Sequence, residues 1–313
     1  MWLDLTLILA GLALLYYGGD LLITGSVRVA RHYRLPPFVI GATIMGFGTS
    51  APELCVSILA AIKGAPEVAL GNVVGSNVAN IGLVLGITTC LVPVAIQPER
   101  FKRETPPLLL ATALLLLFNW NQFLGRVEGL VLVACLVAYI LRSLGSRDEG
   151  DAELEEDHRF FPNAGLSVQF LLIAVGLAGL VLGAHWMVNG SVNIARSFGV
   201  SEWLIGITIV AVGTSLPEIV SSAMSALRGH GEMALGNVFG SNIFNVTMVL
   251  GTASLMHPLE IATPIKMDLL FCGGLTLLLL ILIRLEHVLV KRDGIILLFC
   301  YGGYIGMKSA GWF

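Results

Sequence analysis

Two short stretches hold the residue types best suited to chemistry. GTSAPE occupies Gly48 to Glu53 and GTSLPE occupies Gly213 to Glu218, each inside a long apolar run with no basic residue close by. Each stretch joins a carboxylate to hydroxyls and a proline. A proline inside a helix withholds the N–H that the carbonyl four residues back would accept, and opens that turn. Pro52 is therefore expected to loosen the carbonyls near Gly48 and Thr49, and Pro217 those near Gly213 and Thr214. Glu53 follows Thr49 by four residues and Glu218 follows Thr214 by four, which on a helix sets each carboxylate over its loosened turn. Ser50 and Ser215 add hydroxyls. Downstream, GNVVGSNVAN (Gly71 to Asn80) and GNVFGSNIFN (Gly236 to Asn245) offer Ser76 and Asn80, and Ser241 and Asn245, again four apart. Gly71 and Gly75, with Gly236 and Gly240, form ridges of small residues that let helices approach closely, so the polar faces can be brought against the glutamate helices.

Every one of these donor atoms is oxygen. That set suits a hard cation, Ca2+ or Na+, better than zinc or copper, which favour His or Cys; Mg2+ fits less well because it keeps its waters. The bland alternative for a membrane glutamate is a core ion pair, but the nearest bases in the same copies, Lys63 and Arg228, fall at helix ends. An acid inside a membrane span is a functional candidate by default. Asp20, His185 and Asp268 read as helix-end or interhelix hydrogen-bonding residues. Ser57 and Ser222, one turn beyond the glutamates, stay open between lining an ion path and bonding the backbone. The five cysteines have no metal-ligand spacing and read as small buried hydrophobes.

The elements that position these residues must span a membrane. The 313-residue chain is 56% hydrophobic and 12% charged, with a mean hydropathy of +0.86, against roughly 25% charged residues in soluble domains. Runs long enough to cross hydrocarbon recur throughout. They predict an all-α polytopic protein with ten transmembrane helices, near 3–30, 37–62, 67–92, 106–118, 125–142, 165–195, 202–227, 232–256, 266–284 and 293–311. The stretch from Gly41 to Gly86 aligns without gaps with that from Gly206 to Gly251, and GSVRVAR (Gly25 to Arg31) aligns with GSVNIAR (Gly190 to Arg196). The offset is constant: Glu53 and Glu218 are 165 residues apart. Five spans separate equivalent helices, so the second copy must enter from the opposite side, an inverted repeat of the kind that places transporter sites at mid-membrane. The expected division is a first five-helix repeat over 1–142, an acidic cytoplasmic linker over 143–164 and a second repeat over 165–313. Thirteen of the eighteen Lys and Arg residues fall in loops on one side, which the positive-inside rule assigns to the cytoplasm, leaving both termini outside it.

With both GTS-x-PE motifs and both GSN motifs in order, the chain is identified as resembling the cation/calcium exchanger superfamily, and within it prokaryotic sodium/calcium exchangers. The resemblance implies antiport of Na+ and Ca2+ by alternating access in the inner cell membrane, with no enzymatic activity, no cofactor and no nucleic-acid partner, by a monomer in the lipid bilayer. By matching position it implies that Glu53 and Glu218 are shared ligands and that backbone oxygens of Thr49 and Thr214 complete a calcium site. Gly46, Ser50 and Ser76 would line one sodium site, Ala211, Ser215 and Ser241 another, with Asn80 and Asn245 facing the centre. Some members carry aspartate where this chain has Asn245, which leaves stoichiometry and potassium dependence open. Competing readings are a Ca2+/H+ antiporter or a K+-dependent exchanger of the same superfamily, an intramembrane acid/base enzyme, which the symmetry disfavours, and a cation channel.

The predicted topology has a direct test. In a background without native cysteines, Cys introduced at Ser146 and at Lys308 should react with a membrane-impermeant thiol reagent from opposite sides. Labelling of both from one side would remove the ten-span plan.

Overall fold

The computed structural model describes residues 2–145, 165–199, 209, 211–262 and 265–310. Most of the acidic linker and the opening of the second repeat, from Gly206, lie outside the described residues.

Two helices of 32 residues, α1 (Trp2–Tyr33) and α9 (Leu166–Ser197), pack antiparallel along their length. Glycines spaced by seven make the approach possible. A Cβ on Gly18 would lie 2.9 Å from the carbonyl of Gly176, and one on Gly11 2.7 Å from that of Gly183. Leu15, Leu22, Ile23, Ile173 and Leu180 fill the small core between this pair and the rest of the protein.

After Tyr33 the chain turns through Pro36 and re-enters as α2 (Pro37–Ile40), a π-helical stretch (Gly41–Met45) and α3 (Gly46–Thr49). The helix then breaks at Ser50, which has φ −84° and ψ 2°, and restarts as α4 (Ala51–Ile62) with its axis turned by 45°. This refines the expectation from sequence. Pro52 does not sit within a continuous helix but in the first turn of a new one, where its missing N–H is tolerated. It still leaves Gly48 without a helical donor. Helix α5 (Pro66–Ala79) passes through a π-helical stretch (Asn80–Leu85) into α6 (Gly86–Leu91). Strand β1 (Val94–Ala95), helix α7 (Pro98–Asn119), strand β2 (Phe123–Leu124) and helix α8 (Arg126–Leu144) complete the first half. The predicted fourth span is thus part of a longer helix whose first turns are polar.

The second half repeats this order: α10 (Ala211–Thr214), a break at Ser215, α11 (Leu216–Leu227), α12 (Gly231–Phe244), a π-helical stretch (Asn245–Leu250) and α13 (Gly251–Met256). Then come β3 (Leu259–Glu260), α14 (Lys266–Glu286), β4 (Val288–Leu289) and α15 (Lys291–Ser309). Helices α4, α5, α6 and α8 map onto α11, α12, α13 and α15 at the 165-residue offset without adjustment. The four two-residue strands, not expected in an all-α reading, pair across the halves, β1 with β4 and β2 with β3. Under the offset each pair exchanges into the other. Glu232 caps the amide of Gln97 at 3.0 Å and Glu67 that of Ala262 at 3.2 Å, a second exchanged pair.

Among the described residues five helices are long and apolar enough to cross a membrane, or six if the bent pair at Ser50 is one span. The central helix of the second half, α12, is buried from Met233 to Phe244, while Trp2, Leu9, Leu117, Val127 and Phe299 turn apolar side chains outward. This is the pattern of a protein whose periphery meets lipid rather than water.

The glycine ridge of the second copy packs tightly against the first half. A side chain on Gly236 would collide with the carbonyl of Phe38, and one on Gly240 with that of Ala42. At the equivalent Gly71 and Gly75 no described atom comes within 4 Å. The close approach expected of these ridges is realised in the second copy; the positions that would face Gly71 and Gly75 at the repeat offset, 203 and 207, lie outside the described residues. Gly240→Val should lower the thermal stability of the purified protein by the ~1–3 kcal/mol typical of overpacking or more. Melting temperatures in detergent read the difference.

Candidate cation site

The two helix breaks bring their motifs together at the centre of the protein. Glu53 stands in the first turn of α4 and Glu218 in that of α11, where the helix N-terminus favours a negative charge. Each carboxylate accepts its own backbone N–H. The two side chains are 5% and 2% exposed and lie near enough for their charges to repel. Among the described residues no basic side chain pairs with either. Arg228, the nearest in its copy, is committed elsewhere: its guanidinium forms an ion pair with the carboxylate of Asp20 and donates to the Asp20 carbonyl at 3.3 Å and to Thr24 Oγ1 at 3.4 Å.

Four buried oxygens around this centre have no hydrogen-bond partner: Ser50 Oγ, Glu53 Oε2, Glu218 Oε2 and Asn245 Oδ1. Burying polar oxygens unsatisfied is costly, and four of them on the repeated motifs make these residues a candidate ligand place. Two carboxylates, a hydroxyl and a carboxamide, with the freed carbonyls of the broken helices, form a hard-oxygen set fit for Ca2+ or Na+. No group of three or more His, Cys, Asp and Glu side chains gathers among the described residues, so most of a cation's ligands here must be neutral oxygens.

One flank of the site is tightly closed. Thr49 Oγ1 lies 3.4 Å from Ser241 Oγ and 3.5 Å from Asn237 Oδ1, within hydrogen-bond reach of Glu218. Ser241 Oγ donates to the Gly46 carbonyl at 3.5 Å. The structure thus brings Gly46 against Ser241, whereas the resemblance groups it with Ser76. On the other flank Thr214 is exposed and Ser76 half-buried. There Glu53, Asn72, His185, Gly213 and Thr214 line a cavity of about 200 Å3. Ser215 is buried beside Glu218 in sequence; Ala211 opens α10, but its side chain lies outside the described residues.

Several residues with open readings are now placed. Ser57 donates to the Ala69 carbonyl at 3.3 Å and accepts from Asn72 Nδ2 at 2.9 Å, so its hydroxyl is used within the protein. Ser222 accepts from Asn237 Nδ2 at 2.9 Å. Asp268 accepts from Tyr304 Oη at 2.7 Å and from Lys308 Nζ at 2.5 Å, joining α14 to α15. His185 bonds Asn189 one turn along its own helix at 2.9 Å. Sequence reasoning missed Asn72 and Asn237, which tie the glutamate helices to α5 and α12. Asn72 also donates to the Glu53 carbonyl at 3.1 Å. The available signal was their recurrence, one residue after Gly71 and Gly236, at the repeat offset.

Comparison with known proteins places this geometry. The chain matches the family described as sodium/calcium exchanger protein over residues 3–145 and 168–310. It belongs to that family. It is 30% identical to the sodium/calcium exchanger MaX1 of Methanosarcina acetivorans, with 96% of each chain covered. It is 32% identical to the inner membrane protein YrbG of Escherichia coli over 83% of this chain and 82% of that one. Among solved structures, the sodium-calcium exchanger NCX_Mj soaked with zero Na+ and Ca2+ superposes with a TM-score of 0.86 at 32% identity, covering 97% of this chain and 98% of the other. The protein is therefore a multi-pass membrane cation/Ca2+ antiporter and not an enzyme.

If the two glutamates form one cation site, Glu53→Gln and Glu218→Gln should each abolish the stabilisation by Ca2+ that mass action gives a binding protein, while the ion-free protein stays folded and extractable. Ca2+ titrations followed by thermal melting check this. Near wild-type stabilisation in either variant would remove that residue from the site.

Proposed function

We propose that this protein exchanges Na+ for Ca2+ across the inner cell membrane by alternating access, as a monomer of ten transmembrane helices in two inverted five-helix repeats, 1–142 and 165–313. The observation that carries the reading is the pair of buried glutamates at two equivalent helix breaks, with no basic partner among the described residues and with unsatisfied oxygens beside them. A cation bound between them would balance their charge, and Na+ and Ca2+ have similar radii and oxygen preferences, so the two compete for one set of ligands. Glu53, Glu218, Thr49, Thr214, Ser50, Ser215, Ser76, Ser241, Asn80, Asn245, Gly46 and Ala211 are the proposed ligand set.

The cavity at Glu53 and Thr214 supports alternating access. With termini outside and the linker in the cytoplasm, Phe38 and Ala42 lie on the cytoplasmic side, where α12 closes on them. The cavity by Thr214 then faces outward. In the opposite state the site would open toward the cytoplasm, with the α1–α9 pair moving against the core. The Asp20–Arg228 ion pair holds α1 to the end of α11 in the present state. Its counterparts at the repeat offset are His185 and Lys63, which cannot form an equivalent pair of opposite charges, so the two states are not equal in energy.

Two ionised glutamates balance one Ca2+, whereas three Na+ would leave one positive charge in a low-dielectric site. A membrane potential, worth ~2.3 kcal/mol per charge per 100 mV, favours extrusion when each cycle carries net charge, and three-to-one exchange is the version proposed. Purified protein in liposomes should take up Ca2+ when an outward Na+ gradient is imposed, and clamping the potential should change the rate. Flux driven by a proton gradient alone would give the Ca2+/H+ reading. A requirement for K+ would give the potassium-dependent one. Sodium-driven flux indifferent to potential would mean two Na+ per Ca2+.

A further inference from the structure

Where the two repeats meet, four asparagines interlock. Asn245 Nδ2 donates to Asn77 Oδ1 at 3.1 Å, and Asn80 Nδ2 donates to Asn242 Oδ1 at 3.2 Å. These bonds exchange into one another at the 165-residue offset. Asn77 Nδ2 in turn points at the backbone carbonyl of Asn242, 3.5 Å away. All four side chains are buried, none more than 3% exposed. Asn80 and Asn245 stand among the proposed ion ligands; Asn77 and Asn242 do not.

A carboxamide has an oxygen end and an N–H2 end of nearly the same shape, and only one is useful to a cation. The backbone carbonyl of Asn242 can only accept. It therefore draws the N–H2 of Asn77 toward itself and turns Asn77 Oδ1 toward Asn245. That oxygen can only accept, so Asn245 must present its N–H2 to Asn77. The remaining end of Asn245, Oδ1, is buried without a partner. Reversing Asn245 would set oxygen against oxygen at Asn77 and aim two N–H dipoles at the cation.

We propose that Asn77 and Asn242 are positioning residues that set the polarity of Asn245 and Asn80 across the repeat interface, so that carboxamide oxygen rather than N–H2 faces the transported cation. The inference rests on the exchange reading and deepens it. Each repeat supplies the polarity of the other's ligand, so neither half alone forms a complete cation site. The arrangement resembles the outer-shell groups that orient first-shell ligands at resident metal sites.

The test is a double-mutant cycle on Ca2+ binding, read by Ca2+-dependent thermal stabilisation of the purified full-length protein. Asn77→Leu removes both polar ends at similar size and should raise the half-saturating Ca2+ concentration by about 10- to 100-fold, the range for loss of an orienting partner. The same change should add little in an Asn245→Leu background, because Asn77 acts through Asn245. Asn242→Leu with Asn80→Leu forms the mirror cycle and serves if Asn77→Leu does not yield folded protein. Losses that add in full in either cycle would overturn the proposal, as would a lowered ion-free melting temperature with an unchanged Ca2+ midpoint, or failure of both Asn77→Leu and Asn242→Leu to fold. Absence of Ca2+ stabilisation in the unmutated protein would instead count against the exchange reading itself.

Discussion

Two carboxylates buried without a basic partner among the described residues are the constraint on which the rest of this structure depends. Burying an ionisable group without a paired charge is costly. A resident arginine or lysine would remove that cost permanently and leave no need for a bound cation. The protein keeps its bases away. Arg228 is held by Asp20 on another helix and Lys308 by Asp268 near the end of the chain. What surrounds Glu53 and Glu218 is neutral oxygen from hydroxyls, carboxamides and interrupted backbone. Such a set of oxygens is the kind a hard cation would require.

Helix breakage makes this set of oxygens available without exposing backbone to lipid. Backbone polar groups in hydrocarbon must be satisfied, and irregular backbone survives there only where it faces protein or a cavity. The residues at the breaks, Ser50 and Ser215, are themselves buried. Proline at the start of each new helix supplies a carbonyl without a donor and starts the helix with little penalty. The glutamate next to it then sits in the helix's positive end.

The two copies match at most motif positions, and the ridge of the second is seen in close packing, with Gly236 and Gly240 pressed against the backbone of Phe38 and Ala42. Thr49 is enclosed in that contact, while Thr214 lines a cavity beside Glu53. A bound ligand shifts a balance between conformations only by binding one better than the other. The Asp20–Arg228 ion pair has no counterpart of opposite charges at the repeat offset, where His185 and Lys63 stand.

Much of this was legible in the residues alone. Apolar runs declared a membrane protein, and the gapless repeat paired the motifs, because both are local properties that survive in a linear string. The oxygen chemistry of Glu53, Ser50, Asn245 and their counterparts followed from residue type. The places where sequence fell short are those set by contact between distant segments. Pro52 could be read as a breaker, but that it begins a new helix rather than bending an old one depended on what packs around Ser50. Gly46 could not be assigned to Ser241, 195 residues away, because its partner was chosen by how α12 lies against α2 and α3. The donor and acceptor ends of Asn77 were likewise undetermined until a backbone carbonyl from the other repeat faced one of them. Sequence specified which atoms the protein can offer a cation; tertiary structure decided which way each points, because a hydrogen bond's direction is settled only by the partner across the interface.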